Sequence, residues 1–151
     1  MSEKLSEREF HEKMSKNLFN KTWDLMEKKD RNPEEDLEMI HSAHASAHHW
    51  RHFGKPINFQ RGEWQISRVY ARLNLAESCL YHAEKCLALT KKHDIKDFDL
   101  AFAYEAMARA YAIAGNKEEK EKFLDCAKKA ADAVKDEEDK KYTLSEIATI
   151  N

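Results

Sequence analysis

Apolar residues recur every three to four positions along almost the whole chain, and the positions between them are mostly charged. Phe10, Met14, Leu18, Trp23 and Met26 trace the first such stripe, which predicts a helix from about Ser6 to Lys28. Ser6 followed by Glu9 reads as a capping box, with Leu5 and Phe10 at the staple positions. Asp30-Arg-Asn32 is a turn, after which Asn32 caps a second helix with Pro33 at its first position and Glu34 and Glu35 in its first turn. Leu37, Ile40, Ala43, Ala47 and Trp50 carry that helix until Gly54 and Pro56 stop it. Ile57-Asn-Phe-Gln60 reads as an irregular connection, with Ile57 and Phe59 docked on the core. A third helix is expected from about Arg61 to Leu73 and a fourth from about Leu75 to Lys92, with Asn74 and Glu77 as the cap pair between them. Asp97 is expected to cap a fifth helix that ends at Gly115. Asn116 with Glu119 opens a sixth, through Phe123, Leu124, Ala127, Ala130, Ala131 and Val134. A short last helix after Asp136 carries Tyr142, Leu144 and Ile147. The pattern therefore predicts an all-α fold of about seven helices, stacked as antiparallel hairpins in a single domain spanning residues 1–151, with no strand.

Composition agrees and narrows the function classes. The 151 residues include only 3 glycines and 2 prolines, and 36% are charged, above the roughly 25% of ordinary soluble domains. Such charge suits helices with a broad solvated face. With 26 basic and 28 acidic residues the formal charge is −2, so no excess of cations steers the chain to nucleic acid or anionic lipid. No apolar run reaches the length of a membrane helix, and the start Met1-Ser-Glu-Lys-Leu-Ser6 lacks the apolar core of a signal peptide. Three cysteines, none in a C-x-x-C pair, fit free thiols in a reducing compartment, so a cytoplasmic location is expected.

The region from Gly62 to Val134 reads as two hairpins on one plan. Ile66, Ser67, Tyr70, Asn74, Cys79, Ala83 and Cys86 have an echo in Met107, Ala108, Tyr111, Gly115, Leu124 and Ala127. An aromatic and a small residue before a tyrosine, a glycine-type turn, and small residues on a close-packing second helix resemble the tetratricopeptide repeat. The resemblance implies a right-handed array of helical hairpins that binds a protein or peptide partner. Tyr70 and Tyr111 are 41 residues apart, against roughly 34 in the standard repeat, and Lys120 stands where a small residue is expected. The runs His44-Ala-Ser46, Arg61-Gly-Glu-Trp64 and Ser67-Arg-Val-Tyr70 also resemble a family of short microbial helical proteins with no assigned activity, which transfers no residue roles.

Three constellations are chemically suggestive. His41, His44, His48 and His52 fall within an arc of about 80° on the second helix, and His44, His48 and His49 are the candidate ligands for a divalent transition metal, with Glu63 or Glu105 as a partner carboxylate. The plainer reading is a polar, pH-sensitive flank. Cys79, His82 and Cys86 share a face of the fourth helix, where close packing explains the cysteines better than metal binding. Arg61, Trp64 and Arg68 on the third helix and Glu105 and Arg109 on the fifth form a guanidinium, carboxylate and indole set suited to gripping a peptide carboxylate or small anion. No phosphate loop, nucleophile elbow or other catalytic signature is present. The expectation is a non-enzymatic helical scaffold with no cofactor, binding a protein or peptide partner in a groove lined by helices 2, 3 and 5. Self-association over end residues such as Ile147 and Ile150 would make it a homo-oligomer. The alternative is a metal- or small-ligand-binding protein, or an enzyme, built on the histidine-rich second helix.

Overall fold

In the computed structural model of the protein, which describes residues 4–151, four of the helices begin at a side-chain cap. The first residues of the polar chain start, 1–3, lie outside the described part. The elements are α1 (Glu7–Glu27), α2 (Pro33–Trp50), α3 (Pro56–Arg72), α4 (Ala76–Lys92), α5 (Phe98–Ala114), α6 (Lys117–Asp132) and α7 (Glu137–Ile147), with no strand among the described residues. The capping boxes of α1 and α2 are both formed: Glu9 N–H donates to Ser6 Oγ (3.1 Å) and Glu35 N–H to Asn32 Oδ1 (2.8 Å). Asn116 and Asp136 accept likewise from Glu119 N–H and Asp139 N–H.

Three boundaries differ from the sequence expectation. Residues 57–60 are helical, because Pro56 is the first residue of α3 and supplies a pre-set φ, while Lys55 N–H donates to Asn58 Oδ1 (2.9 Å). Asn74 is not an N-cap. It sits at φ 59°, in the left-handed region, and closes α3 from behind, with Asn74 N–H bonded to Ala71 O and Leu75 N–H to Tyr70 O. Asp97 precedes α5 at φ 62° and its side chain makes no cap bond; Oδ1 accepts from Lys135 N–H at 3.4 Å instead.

The closure of α3 recurs at the end of α5, where Gly115 at φ 79° bonds Ala112 O and Asn116 N–H bonds Tyr111 O. Tyr70 and Tyr111 thus occupy equivalent places, and the repeat seen in the sequence is a repeat of backbone geometry. Neighbouring helices pack pairwise, and α5 also touches α3 and α7. Side-chain pairs join α3 to α5 at nearly constant separations, Arg61 to Asp99 (38 apart) and Arg68 to Glu105 (37 apart), and Arg109 reaches Thr149 just beyond α7 (40 apart). Constant separation means that α3, α5 and α7 run parallel and abreast. The even-numbered helices cover their other side.

Three apolar clusters follow the hairpin junctions. Met26, Met39, Ala43, Ile66 and Val69 join α1 and α2 to α3. Cys79, Ala83, Cys86, Leu87, Ala103, Ala106, Met107 and Ala110 join α4 to α5. Ala101, Ala108, Leu124, Ala127, Ala131 and Ile147 join α5, α6 and α7. The alanines of α5 follow from its place: a helix gripped by four neighbours needs small side chains on most of its surface for the backbones to nest. Lys120, at the position of a packing residue in the preceding hairpin, is only partly covered and reaches Glu121 (3.6 Å). Ile147 is 2% exposed and belongs to the chain's own core, so it offers no open end face for self-association.

Candidate functional site

The parallel odd-numbered helices each present one aromatic ring to a common face. Trp23 of α1 lies 5.7 Å from Trp64 of α3, Trp64 5.5 Å from Phe102 of α5, and Phe102 6.0 Å from Tyr142 of α7, centroid to centroid. Spacings of this size are those of favourable tilted and edge-on pairs. Tyr142 is the most open, at 56% exposure. Sequence reasoning singled out Trp64 alone. The signal that would have found the rest is the recurrence of an aromatic residue about every 40 positions, which matches the repeat period.

Beside this floor lies a charged network built on Glu105, which is fully buried. Its Oε1 accepts from Arg68 Nη1 (2.8 Å) and Arg109 Nε (2.8 Å), and its Oε2 from Trp64 Nε1 (3.1 Å). Arg68, 8% exposed, stacks its guanidinium 5.7 Å over the Trp64 ring and donates through Nη2 to Glu146 Oε2 (2.7 Å). Arg109 Nη2 donates to Glu146 O (3.1 Å) and to Thr149 Oγ1 (2.8 Å). A buried carboxylate requires such compensation, because an unpaired charge there would cost several kcal/mol. Four of the five sequence candidates, Trp64, Arg68, Glu105 and Arg109, therefore meet in one place. Arg61 does not join them; it forms a two-point pair with Asp99 (3.0 and 2.9 Å) and lies 5.5 Å over Phe98.

At the C-terminal ends of α3, α5 and α7 the network borders a depression of about 480 Å³ whose wall includes Arg68, Arg72, Arg109, Glu146 and Thr149. Among the described residues Arg72 makes no hydrogen bond or ion pair, and much of its side chain is exposed. Partial burial, followed by the charges of Arg68, Arg109 and Arg31 and opposed by Glu146, pushes its guanidinium below the ordinary arginine range. Neither Arg72 nor Glu146 stood out in the sequence, since nothing local marks a residue whose role depends on a helix 70 positions away.

The histidines of α2 occupy separate surfaces. A depression of about 600 Å³ between α2, α3 and α4 is walled by His44, His48, Glu63 and His82, with Phe59 and Ile66. His82 Nδ1 lies 2.6 Å from Glu63 Oε2, His44 Nε2 lies 2.9 Å from the Tyr70 hydroxyl, and the Tyr70 and His82 rings stack. Burial, then the neighbouring His82, pushes His44 below the ordinary histidine range. His49 turns instead to α1, with its Nδ1 2.8 Å from His11 Nδ1, and His11 stacks on His52 at 3.7 Å. His44, His48 and His49 thus do not converge, and among the described residues no three His, Cys, Asp or Glu side chains are placed to hold a metal ion. The depression with Arg68 and Arg109 shares no residue with the histidine wall, so α2 does not line a common groove with α3 and α5. Cys79 and Cys86 are buried, and burial raises both thiols, which makes them inert packing groups. No known protein family, curated protein or solved structure matches the chain.

Proposed function

We propose that the chain is a non-enzymatic scaffold of tetratricopeptide-like hairpins that receives a peptide segment of a protein partner along the face of its odd-numbered helices. The observation that carries this reading is the aromatic floor of Trp23, Trp64, Phe102 and Tyr142, continuous across four helices and bordered by fixed charges. Aromatic rings supply large contact area with little conformational entropy to lose, and they dominate peptide and protein recognition. The charges beside them are held by internal partners, so their geometry is set before a ligand arrives. The groove of the proposal is bounded by α1, α3, α5 and α7, with α2 contributing nothing to it.

The test is selection of peptides from a random display library against the full chain, followed by affinity measurement on the Tyr142→Ala variant. Tyr142 is largely exposed, so its truncation leaves the fold intact. The expected result is an affinity loss of about tenfold or more, the usual effect of removing an aromatic anchor, with the melting temperature unchanged. Peptides indifferent to Tyr142→Ala and to Phe102→Ala, or a selection that yields no binder, would overturn the proposal.

A further inference from the structure

Arg72 differs from the other guanidiniums gathered at the ends of the odd-numbered helices. Arg31 donates to Asp36 Oδ1 and to the carbonyls of Leu25, Met26 and Lys28, which cap α1. Arg68 is shared between Glu105 and Glu146, and Arg109 between Glu105, the Glu146 carbonyl and Thr149. Among the described residues Arg72 alone in this group has no hydrogen-bond or ion-pair partner, yet it stands on the wall of the depression with Arg68 and Arg109. Among the side chains here three guanidiniums face two carboxylates, Glu105 and Glu146, and both carboxylates are already engaged. Counted over side chains alone, positive charge is in excess by one on a concave wall that Asn151 also lines, and concavity concentrates the field.

We infer that this depression takes the carboxylate of an acidic side chain from the bound peptide, with Arg72 as its principal donor and Arg109 and Thr149 beside it. The inference rests on the peptide-binding reading above and names what that peptide carries. A single uncompensated charge matches a monoanion better than a phosphate dianion, which would bring an excess of negative charge close to Glu146. The planar fork of arginine also fits a carboxylate in two-point geometry. The location is continuous with the aromatic floor: Arg68 bridges from the Trp64 ring to Glu146, and Glu146 is one helical turn from Tyr142. The positive surroundings of Arg72, which disfavour its own charge, are the same field that would favour an arriving anion.

The experiment uses the peptides selected against the full chain. An Asp or Glu should be enriched at one position, and changing that residue to its amide should weaken binding about tenfold, as should Arg72→Gln on the protein. Combining the two changes should add little, because each removes the same contact. Peptides that depend on Tyr142 but show no acidic preference and no response to Arg72→Gln would overturn the inference and leave the peptide-binding reading standing. Peptides indifferent to Tyr142 would remove that reading, and this one with it. Inorganic phosphate is the remaining probe: phosphate that binds the unliganded chain more tightly than the peptide does, and loses that binding in Arg72→Gln, would replace the acidic peptide with a small anion and also overturn it.

Discussion

Glu105→Ala tests whether the buried network is what holds α3, α5 and α7 abreast. The substitution removes the acceptor for Arg68, Arg109 and the Trp64 indole in one step. Arg68 is only 8% exposed, so its charge stays buried with Glu146 as the sole carboxylate partner. Breaking a buried pair from one side costs about 3–5 kcal/mol, and an orphaned indole N–H adds roughly 1 kcal/mol. The retained Arg68–Glu146 bond and the partial exposure of Arg109 pull the total down, to about 4 kcal/mol. Domains of this class are stable by only ~5–15 kcal/mol, and at about 2–4 °C per kcal/mol the melting temperature should fall by ~8–16 °C. Arg61→Ala is the control. It breaks a two-point pair whose arginine side chain is 47% exposed, and it should cost less than about 1 kcal/mol. Urea denaturation followed by far-ultraviolet circular dichroism measures both. A Glu105→Ala variant no less stable than Arg61→Ala would refute the reasoning, because it would mean that the network breaks even against its own desolvation.

Acidification should destabilise the chain between about pH 7 and pH 5. His44 and His49 are held below their ordinary values by burial and by neighbouring histidines, so the unfolded chain takes up protons first and stability falls as pH drops through the unfolded value near 6.5; thermal melts at pH 7.5 and 5.5 should show it, and His49→Gln should flatten the dependence. Gly115→Ala should cost about 1 kcal/mol by urea midpoint. Its φ is 79° and an added Cβ would meet nothing within 4 Å, so the cost is conformational only. Native protein treated with an aromatic disulfide reagent should show one readily labelled thiol, Cys126, with Cys79 and Cys86 reacting only on unfolding.

The helices themselves were legible because their signals are local. Ser6 with Glu9 and Asn32 with Glu35 announce helix starts within four residues, and the structure uses both pairs as capping boxes. The errors also came from local reading. Asn74 carries two chemistries, side-chain acceptor and tolerance of the left-handed region, and the sequence cannot say which one a turn will use. Residues 57–60 read as irregular because Pro56 after Gly54 has the signature of a helix stop, when a proline serves equally as the first residue of the next helix. Nothing in the sequence marks Gln60 or Gln65 as a buried polar group, yet they are buried ties between layers: Gln65 Nε2 donates to Phe19 O and Gln60 Nε2 to Asp99 O. The site was half legible. Residue types suited to ion pairing marked Arg68, Glu105 and Arg109, but placing them with α7 rather than with the histidines of α2 required the parallel stacking of odd-numbered helices.

That stacking changes what the marked residues mean. Arg68 spans from α3 to α7 over α5, so one guanidinium clamps three helices. Residues whose charged or polar groups are already engaged inside the chain are poor candidates for gripping a partner, since each bond given to a ligand is one taken from the fold. Trp64, Arg68, Glu105 and Arg109 are for that reason positioning groups. They hold the floor and the pocket wall still, and a variant at any of them confounds binding with stability. The groups free to act on a ligand are those without an internal duty: the open ring of Tyr142 and the unpaired guanidinium of Arg72. The two sets should separate in experiment, with the first moving the melting temperature and the second moving affinity alone.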